Sequence, residues 1–587
     1  MNKGLPLNAK GDFQEIDMNV TTRGGNADSK ITVTEKTVAD GMLELSVNYK
    51  ISKKEIPQAF CVELSTPDID VYSMWSPSMT SNRVIGKNYD LRRTPSRLAS
   101  GIPLHCAVSR TGKNRVCLAL SDAATPTEIV SGVAEEDAEI KWTVTFFTTP
   151  TTPISEYNAK IRIDTRDIPF YDSIYDTVFW WENECGYAPA PVPEYAKLPM
   201  NSLWYSFHQK LVPDEIVKQC ELSKALGMDS VIIDDGWQTN DSNRGYAFCG
   251  DWEPIRIPDM KGLVDRIHNT GMKVILWFSV PFVGEKAKRW EEFKEFILNP
   301  NAPIDVHCLD PRYKHIRDYL VQTYESAVRE WGLDGLKLDF IDNFLLTEDS
   351  VKPDPRRDFE SLEEGIDALM TDVTDKLRKI KPDIMIEFRQ SYVGPSIRKY
   401  GNMFRVTDCP CDAQLNRRGI IDLRFTSGKT AVHSDMLMWN VADTKESVAY
   451  QLTSVLYGVP QISMLIDKLP KEHYRTRKHY LDFWREHREI LLDGKLTAQS
   501  PESFYNQVCS CLDGEAVITV YNNNVVCGEY KKLAVANGSE YEYVYLKGMS
   551  GRSYRTLNCM GEELCQGTLE GNLCEIEVPL GGMIFVS

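Results

Sequence analysis

From about residue 30 to 165, apolar and polar positions alternate in short runs, MLELSVNYKI, KNRVCLAL and EIKWTVTFFTT, separated by turn residues. A period of two without a helical period predicts antiparallel strands with one buried face, and so a β-sandwich. After the proline-rich stretch Tyr187 to Met200, YAPAPVPEYAKLPM, the pattern changes. Near-continuous apolar runs follow one another, NSLWYSF, MDSVIIDD, MKVILWF, WGLDGLKLDF, IMIEF, MFRVTD and TAVHSDMLMW. Helical segments lie between them, near 213–226 and 259–270 and further on. Phe359, Leu362, Ile366, Leu369, Met370, Val373, Leu377 and Ile380 step by three and four, as do Ile316, Tyr319, Leu320, Thr323, Ala327 and Trp331. Strands that are apolar on both faces need helices on both faces, which predicts a parallel sheet. Over about 300 residues this favours a (β/α)8 TIM barrel. Beyond about 495, EAVITVYNN, YEYVYLKG, LCEIEVPL and GMIFVS return to short strands with glycine and asparagine turns, predicting a small C-terminal antiparallel β domain. The expected organisation is an N-terminal β-sandwich over 1–175, a barrel over 176–490 and a C-terminal β-sandwich over 491–587.

The chain has 587 residues, 42% of them hydrophobic, more than one core absorbs, which agrees with several domains. Its 67 basic residues against 84 acidic ones leave a net charge of −17. That field repels phosphate backbones and anionic lipid, so neither a nucleic-acid nor a membrane partner is expected. The most apolar run, VILWFSVPFVG at 274–284, is too short to span a bilayer, and the N-terminal MNKGLPLNAKGDFQEID lacks the apolar core of a secretory signal. A soluble, cytoplasmic protein is the expectation. The fifteen cysteines are scattered, and the close pairs Cys409 and Cys411, Cys509 and Cys511 have one intervening residue rather than zinc-site spacing. Most of the fifteen read as buried, reduced thiols.

In a barrel, polar residues that close an apolar strand face the mouth, and here most of them are carboxylates. VIIDDGW ends in Asp234 and Asp235, LKLDF carries Asp339, FRVTD ends in Asp408, and AVHSD contains His433 and Asp435. Taken singly, each has an alternative as a helix N-cap or salt bridge; converging on one mouth, they point to chemistry. Lys337 and Asp339 are two apart on a strand, so an ammonium can sit beside the carboxylate and keep it ionised. A second, less solvated carboxyl across the mouth would remain protonated and serve as acid, the division of labour of retaining glycoside hydrolysis. The alternative for Lys337 is a buried ion pair that closes the barrel. A divalent-metal site built on His307, His433 and nearby acids lacks clustered ligand spacing, so no metal or cofactor is expected.

In that order, NSLWYSF, IIDDGWQ, GDWEPIRIPDMKGLVDRIHNTGMKVILWF, CLDPRYKHIRDYL and GLDGLKLDF resemble the melibiase-type α-galactosidases of glycoside hydrolase family 36, clan D. The resemblance runs over roughly 200–440. It implies that Asp339, in the K-x-D motif, is the nucleophile, that Lys337 binds substrate, and that Asp408, in VTDCPCDA, is the acid/base. It also implies that Asp234 and Asp235 hold sugar hydroxyls and that Trp237, Asp251, Trp252 and Trp277 belong to the pocket wall. Core packing is the alternative for the tryptophans.

Two stretches depart from that family. IEFRQSYVG puts Arg389 where the family has a cysteine, and SVPF replaces the glutamates expected after Trp277. An arginine, then YVG, then a strand leading to the acid aspartate is similar to glycoside hydrolase family 31, the α-glucosidases and α-xylosidases. Arg389 is thus expected to meet a sugar hydroxyl or a substrate carboxylate. The expected function is a retaining, exo-acting α-glycoside hydrolase, foremost an α-galactosidase. Another α-glycosidase, including one for a uronic or N-acetylated sugar, and an inactive sugar-binding barrel are the alternatives. The partner is a carbohydrate substrate, an α-linked oligosaccharide or glycoconjugate. Homo-oligomerisation stays open, many barrels with sandwich flanks forming symmetric assemblies.

Overall fold

The structure is a computed structural model that describes residues 20–79, 83–90, 93–301, 305–389 and 391–587. The N-terminal MNKGLPLNAKGDFQEID, expected to be no secretory signal, lies outside the described residues. Two antiparallel sheets form the first part of the chain. One runs in the order Thr21–Gly24, Phe60–Pro67, Glu139–Phe146, Thr127–Ala134, Arg93–Ser96. The other runs Lys30–Ala39, Met42–Glu55, Ile154–Asp164, Asn114–Leu120, Leu104–Val108, Ser73–Trp75. Alternating side chains from both, among them Leu45, Val47, Phe60, Val62, Trp142 and Val144, close one shared core, as the period of two requires.

Eight parallel strands follow: β1 (Met200–Ser202), β2 (Ser230–Ile233), β3 (Lys273–Ser279), β4 (Gly335–Asp339), β5 (Met385–Arg389), β6 (Met403–Arg405), β7 (Ala431–His433) and β8 (Gln461–Ile462). β8 pairs with β1, and bridges from His433 to Val459 and from Leu437 to Ile462 join it to β7, so the sheet closes into a barrel. The helices carry the predicted faces. In Leu362–Ile380, Leu362, Ile366, Leu369, Met370, Val373 and Leu377 are buried. Ser361 caps this helix through the Glu364 amide. Phe359 lies before that cap and is outside the helix. The run NSLWYSF is not one strand: β1 stops at Ser202, and Trp204–Phe207 makes a short helix that turns the chain over the mouth.

The last part of the chain forms a seven-stranded and a three-stranded sheet. It is not purely antiparallel. Glu515–Val520 pairs in parallel with Lys532–Asn537, because Val525–Cys527, between them in sequence, crosses into the other sheet.

The flanking parts touch the barrel through buried polar groups. Trp75 Nε1 and Arg83 Nη1 donate to the Tyr505 hydroxyl at 2.8 and 3.0 Å. That hydroxyl donates to Asp422 at 2.5 Å, and Arg83 pairs with the same carboxylate. One cluster thus joins the first sandwich, the helix Ala413–Thr426 and the last part of the chain. Nearer the mouth, Arg97 donates to the carbonyls of Asp342 and Phe344 at 2.7 and 2.5 Å, fixing the loop that follows β4.

Candidate active site

The nucleophile candidate stands where β4 ends. Phe340, the next residue, has φ 67°, a left-handed conformation uncommon for an aromatic residue and of the kind that collects at functional sites. The turn aims the Phe340 amide back at Asp339 Oδ1, 2.8 Å away. Arg389 Nε, from the end of β5, donates to the same oxygen at 2.8 Å, and the Tyr392 hydroxyl at 3.2 Å. Oδ2 accepts from Trp277 Nε1, on β3, at 3.1 Å. Burial pushes the Asp339 carboxyl up, but Arg389, Lys337 and Arg405 together outweigh it and hold the carboxyl far below its ordinary range. Its surroundings therefore favour the ionised form.

Lys337 is on the same inward face but spends its ammonium on Asp234, 2.7 Å from Nζ to Oδ2. Burial opposes its charge and Asp234 more than restores it. Its effect on Asp339 is through the field, while the direct cation is Arg389. Asp234 Oδ1 also accepts the Asp235 amide at 2.9 Å. Asp235 takes 2.6 Å hydrogen bonds from Gln209 and Gln238, and burial raises its carboxyl to about 6. Gly236 makes this approach possible, since a Cβ there would lie 2.5 Å from the Gln209 Cα.

Asp408 departs from the expectation of a less solvated acid. Its side chain is 53% exposed, against 9% for Asp339, because β6 ends at Arg405 and Asp408 lies three residues out in the loop. Burial raises its carboxyl, and Arg405 and Lys337 pull it back below its ordinary value. Arg405, buried on β6, was not singled out from the sequence. It donates to Asp408 Oδ1 at 2.9 Å, pairs with Asp435 and lies 3.7 Å from Glu387. Burial keeps Asp435 and Glu387 above the usual carboxylate range. Tyr392 was likewise missed, although it lies in the YVG stretch beside Arg389.

Other expected site residues sit elsewhere. Trp237 is fully buried, donates to the Trp277 carbonyl at 2.9 Å and packs on Trp252, Phe278 and Trp331. Trp252 is buried between Trp237, Trp277 and Phe278. These two rings are core rather than pocket wall, because the apolar layer behind β2 and β3 takes them first. Trp277 is also buried, and reaches the site by its N–H beneath Asp339. Asp251 accepts the amides of Lys288 and Arg289 at 2.9 and 3.1 Å and so staples a loop. Arg389 is not free for a substrate carboxylate: it lies against Asp339 and, at 3.5 Å, Asp342. His433 is buried against the Ala196 carbonyl at 2.7 Å, and burial lowers its imidazole to about 4. His307 pairs with Glu285 at 2.9 Å. Among the described residues no group of three or more His, Cys, Asp or Glu is arranged to hold a metal ion. No helix of the described residues is long and apolar enough to cross a membrane.

Fold and site together define a (β/α)8 barrel flanked by β-sheet domains, with carboxylates and buried cations at the C-terminal ends of its strands. Residues 200–399, β1 to the loop after β5, match the Melibiase family model. The chain is 23% identical over 197 residues to the α-galactosidase AgaA of Geobacillus stearothermophilus, covering 31% of this chain and 26% of AgaA. It is 24% identical over 146 residues to the bifunctional α-galactosidase/sucrose kinase AgaSK of Mediterraneibacter gnavus, covering 23% and 15%. A 126-residue stretch is 25% identical to the α-xylosidase XylQ of Lactiplantibacillus pentosus, covering 20% and 16%. The matched stretches thus span about a quarter or less of these relatives. In fold the likeness is broader: the crystal structure of AgaA in complex with raffinose superposes with a TM-score of 0.64 at 13% identity, over 95% of this chain and 81% of that one.

Proposed function

We propose that this protein is a retaining, exo-acting α-glycoside hydrolase, and specifically an α-galactosidase. The observation that carries the reading is the setting of Asp339: a buried carboxylate at a strand end, held by four donors, with the candidate acid Asp408 in the loop after β6, two strands away. Asp339 attacks the anomeric carbon as Asp408 gives its proton to the glycosidic oxygen, leaving a glycosyl ester. Asp408, now ionised, takes a proton from water, the water oxygen attacks the same carbon, and the sugar leaves with its configuration retained. Asp234 and Asp235 serve as hydroxyl acceptors, and a wrong epimer that leaves a buried carboxylate unpaired is rejected. Raffinose bound in AgaA and the galactosidase names of the relatives support galactose as the sugar.

A second reading, another neutral α-linked sugar such as xylose or glucose, is favoured by Arg389 in the family's cysteine position and by the alignment with XylQ. A uronic acid is disfavoured, since its carboxylate would compete with Asp339 and Asp342 for Arg389. The test is a panel of p-nitrophenyl α- and β-glycosides of galactose, N-acetylgalactosamine, glucose, xylose and galacturonate, with wild type and Asp339→Asn. Release from the α-galactoside that the variant loses is the expected result. Release from another α-glycoside would move the sugar and keep the mechanism. Binding without release in the wild type would leave a sugar-binding barrel.

A further inference from the structure

The two oxygens of Asp339 are unequally engaged. Oδ1 accepts the Phe340 amide, Arg389 Nε and the Tyr392 hydroxyl, which leaves it no lone pair directed at a substrate. Oδ2 accepts the Trp277 indole alone among the described residues, so it is the oxygen that can attack. When Oδ2 bonds to the anomeric carbon and the glycosidic bond breaks, with the Asp408 proton going to the leaving oxygen, Asp339 becomes a neutral ester. The buried cations at its side do not feel this equally. Lys337 keeps Asp234, and Arg405 keeps Asp435. Arg389 loses the charge it faced, and the carboxylate within reach is Asp342, 3.5 Å from Nη2.

Asp342 is held for that position. Its Oδ2 accepts the Ser391 hydroxyl at 2.7 Å, its Oδ1 accepts Asn343 Nδ2 at 3.2 Å, and Arg97 holds its carbonyl. The guanidinium lies against the rings of Phe340 and Tyr392, 5.3 and 5.6 Å to their centroids, which hold it where it spans the two carboxylates. We propose that Asp342 is the standby counter-ion of Arg389, taking up its charge when Asp339 is esterified through Oδ2. The Arg389–Asp342 pair thereby sets the balance between the two displacement steps. Both are positioning residues, and the inference rests on the retaining reading above. Arg389 stabilises Asp339 as the leaving carboxylate of the second step, in which the water oxygen bonds to the sugar, the ester C–O bond breaks and Asp408 takes the water proton. Asp342 stabilises the ester state by relieving the buried, unpaired guanidinium.

The two residues therefore predict opposite displacements. With α-galactosyl fluoride as the probe, Arg389→Gln slows ester breakdown. kcat falls about tenfold or more, KM falls with it, and a chain heavier by one hexosyl group accumulates in intact-mass spectra of quenched reactions. Its acid limb in kcat/KM rises toward the ordinary carboxyl value of about 4, and Arg389→Lys, which keeps the charge, returns that limb downward. Asp342→Asn, at a partly exposed side chain that the fold tolerates, lowers kcat/KM several-fold and reduces the hexosyl adduct below wild type. Adduct levels that move the same way in Arg389→Gln and Asp342→Asn, or an Asp342→Asn enzyme indistinguishable from wild type, would overturn the proposal while the turnover and adduct of the wild type keep the retaining reading. A wild type that neither turns over the fluoride nor carries an adduct would overturn both.

Discussion

Arg405 Nη2 donates to Asp408 Oδ1 at 2.9 Å while the same guanidinium pairs with the buried Asp435. This holds the acid candidate below its ordinary carboxyl value, so its proton is scarce at neutral pH. A leaving group that needs that proton should show it. For melibiose, kcat/KM is expected to fall by about tenfold per pH unit on the alkaline side of that ionisation, whereas α-galactosyl fluoride, which needs no proton, shows no such limb. Parallel profiles for the two substrates would contradict the assignment of Asp408.

The Lys337–Asp234 pair is buried on both sides, 5% and 4% exposed. Lys337→Met leaves Asp234 charged and unpartnered and is expected to cost about 3–5 kcal/mol of unfolding free energy. Lys337→Met with Asp234→Leu should cost less than the single change, because no charge is left stranded. Denaturant unfolding of the wild type, Lys337→Met, Asp234→Leu and the double variant checks the order, and a double variant as unstable as the sum of the two singles would show that the pair is not coupled.

Asp235 gives a pH-dependent term of known sign. Burial raises its carboxyl from 3.8 to about 6, so the fold favours the protonated form. The stability this brings is complete below pH 3.8 and is lost as pH rises through 6. At about 1.4 kcal/mol per pH unit it amounts to about 3 kcal/mol. Asp339, depressed, acts in the opposite sense: its contribution is present above its ordinary value of 3.8 and is lost as pH falls below it. Comparing wild type with Asp235→Asn isolates the first term, and the stability of wild type relative to the variant should decline between pH 4 and 6. A pH-independent difference would contradict it.

The Tyr505 hydroxyl accepts from Trp75 and Arg83 and donates to Asp422 in a buried cluster joining three parts of the chain. Tyr505→Phe strands the Trp75 indole N–H and one oxygen of Asp422, while Arg83 keeps Asp422 and the Pro501 carbonyl, an expected loss of about 1–3 kcal/mol. Because the cluster is shared, calorimetry should also show the variant's parts unfolding further apart in temperature than those of the wild type. An unchanged transition would mean that the parts are held by other contacts.

The sequence exposes some of this site and hides the rest for identifiable reasons. Asp234, Asp339 and Asp408 stand out in the sequence because each interrupts or follows an apolar strand, where the alternatives are a helix cap or a salt bridge. The K-x-D spacing correctly puts Lys337 and Asp339 on one face, but spacing within a strand does not say that the ammonium turns to Asp234 on another strand. Arg405 is hidden because one polar residue within MFRVTD looks like ordinary alternation. Arg97 reaches the loop after β4 from 245 residues away, a contact that no local pattern carries. Trp237 and Trp252 were misplaced because an indole beside an acidic motif suits a pocket wall and a core equally, and the burial that separates the two is tertiary. β8, two residues long, is too short to leave a period.

The central claim is that Asp339 forms a glycosyl ester with retention of configuration. Proton NMR of p-nitrophenyl α-D-galactopyranoside during hydrolysis tests it most directly, with Asp339→Asn alongside. The account predicts α-galactose as the first product, before mutarotation, and a rate lower by about 10³ or more in the variant, a loss of some 4 kcal/mol of transition-state stabilisation. First-formed β-galactose, or an Asp339→Asn enzyme that retains wild-type turnover, would contradict it.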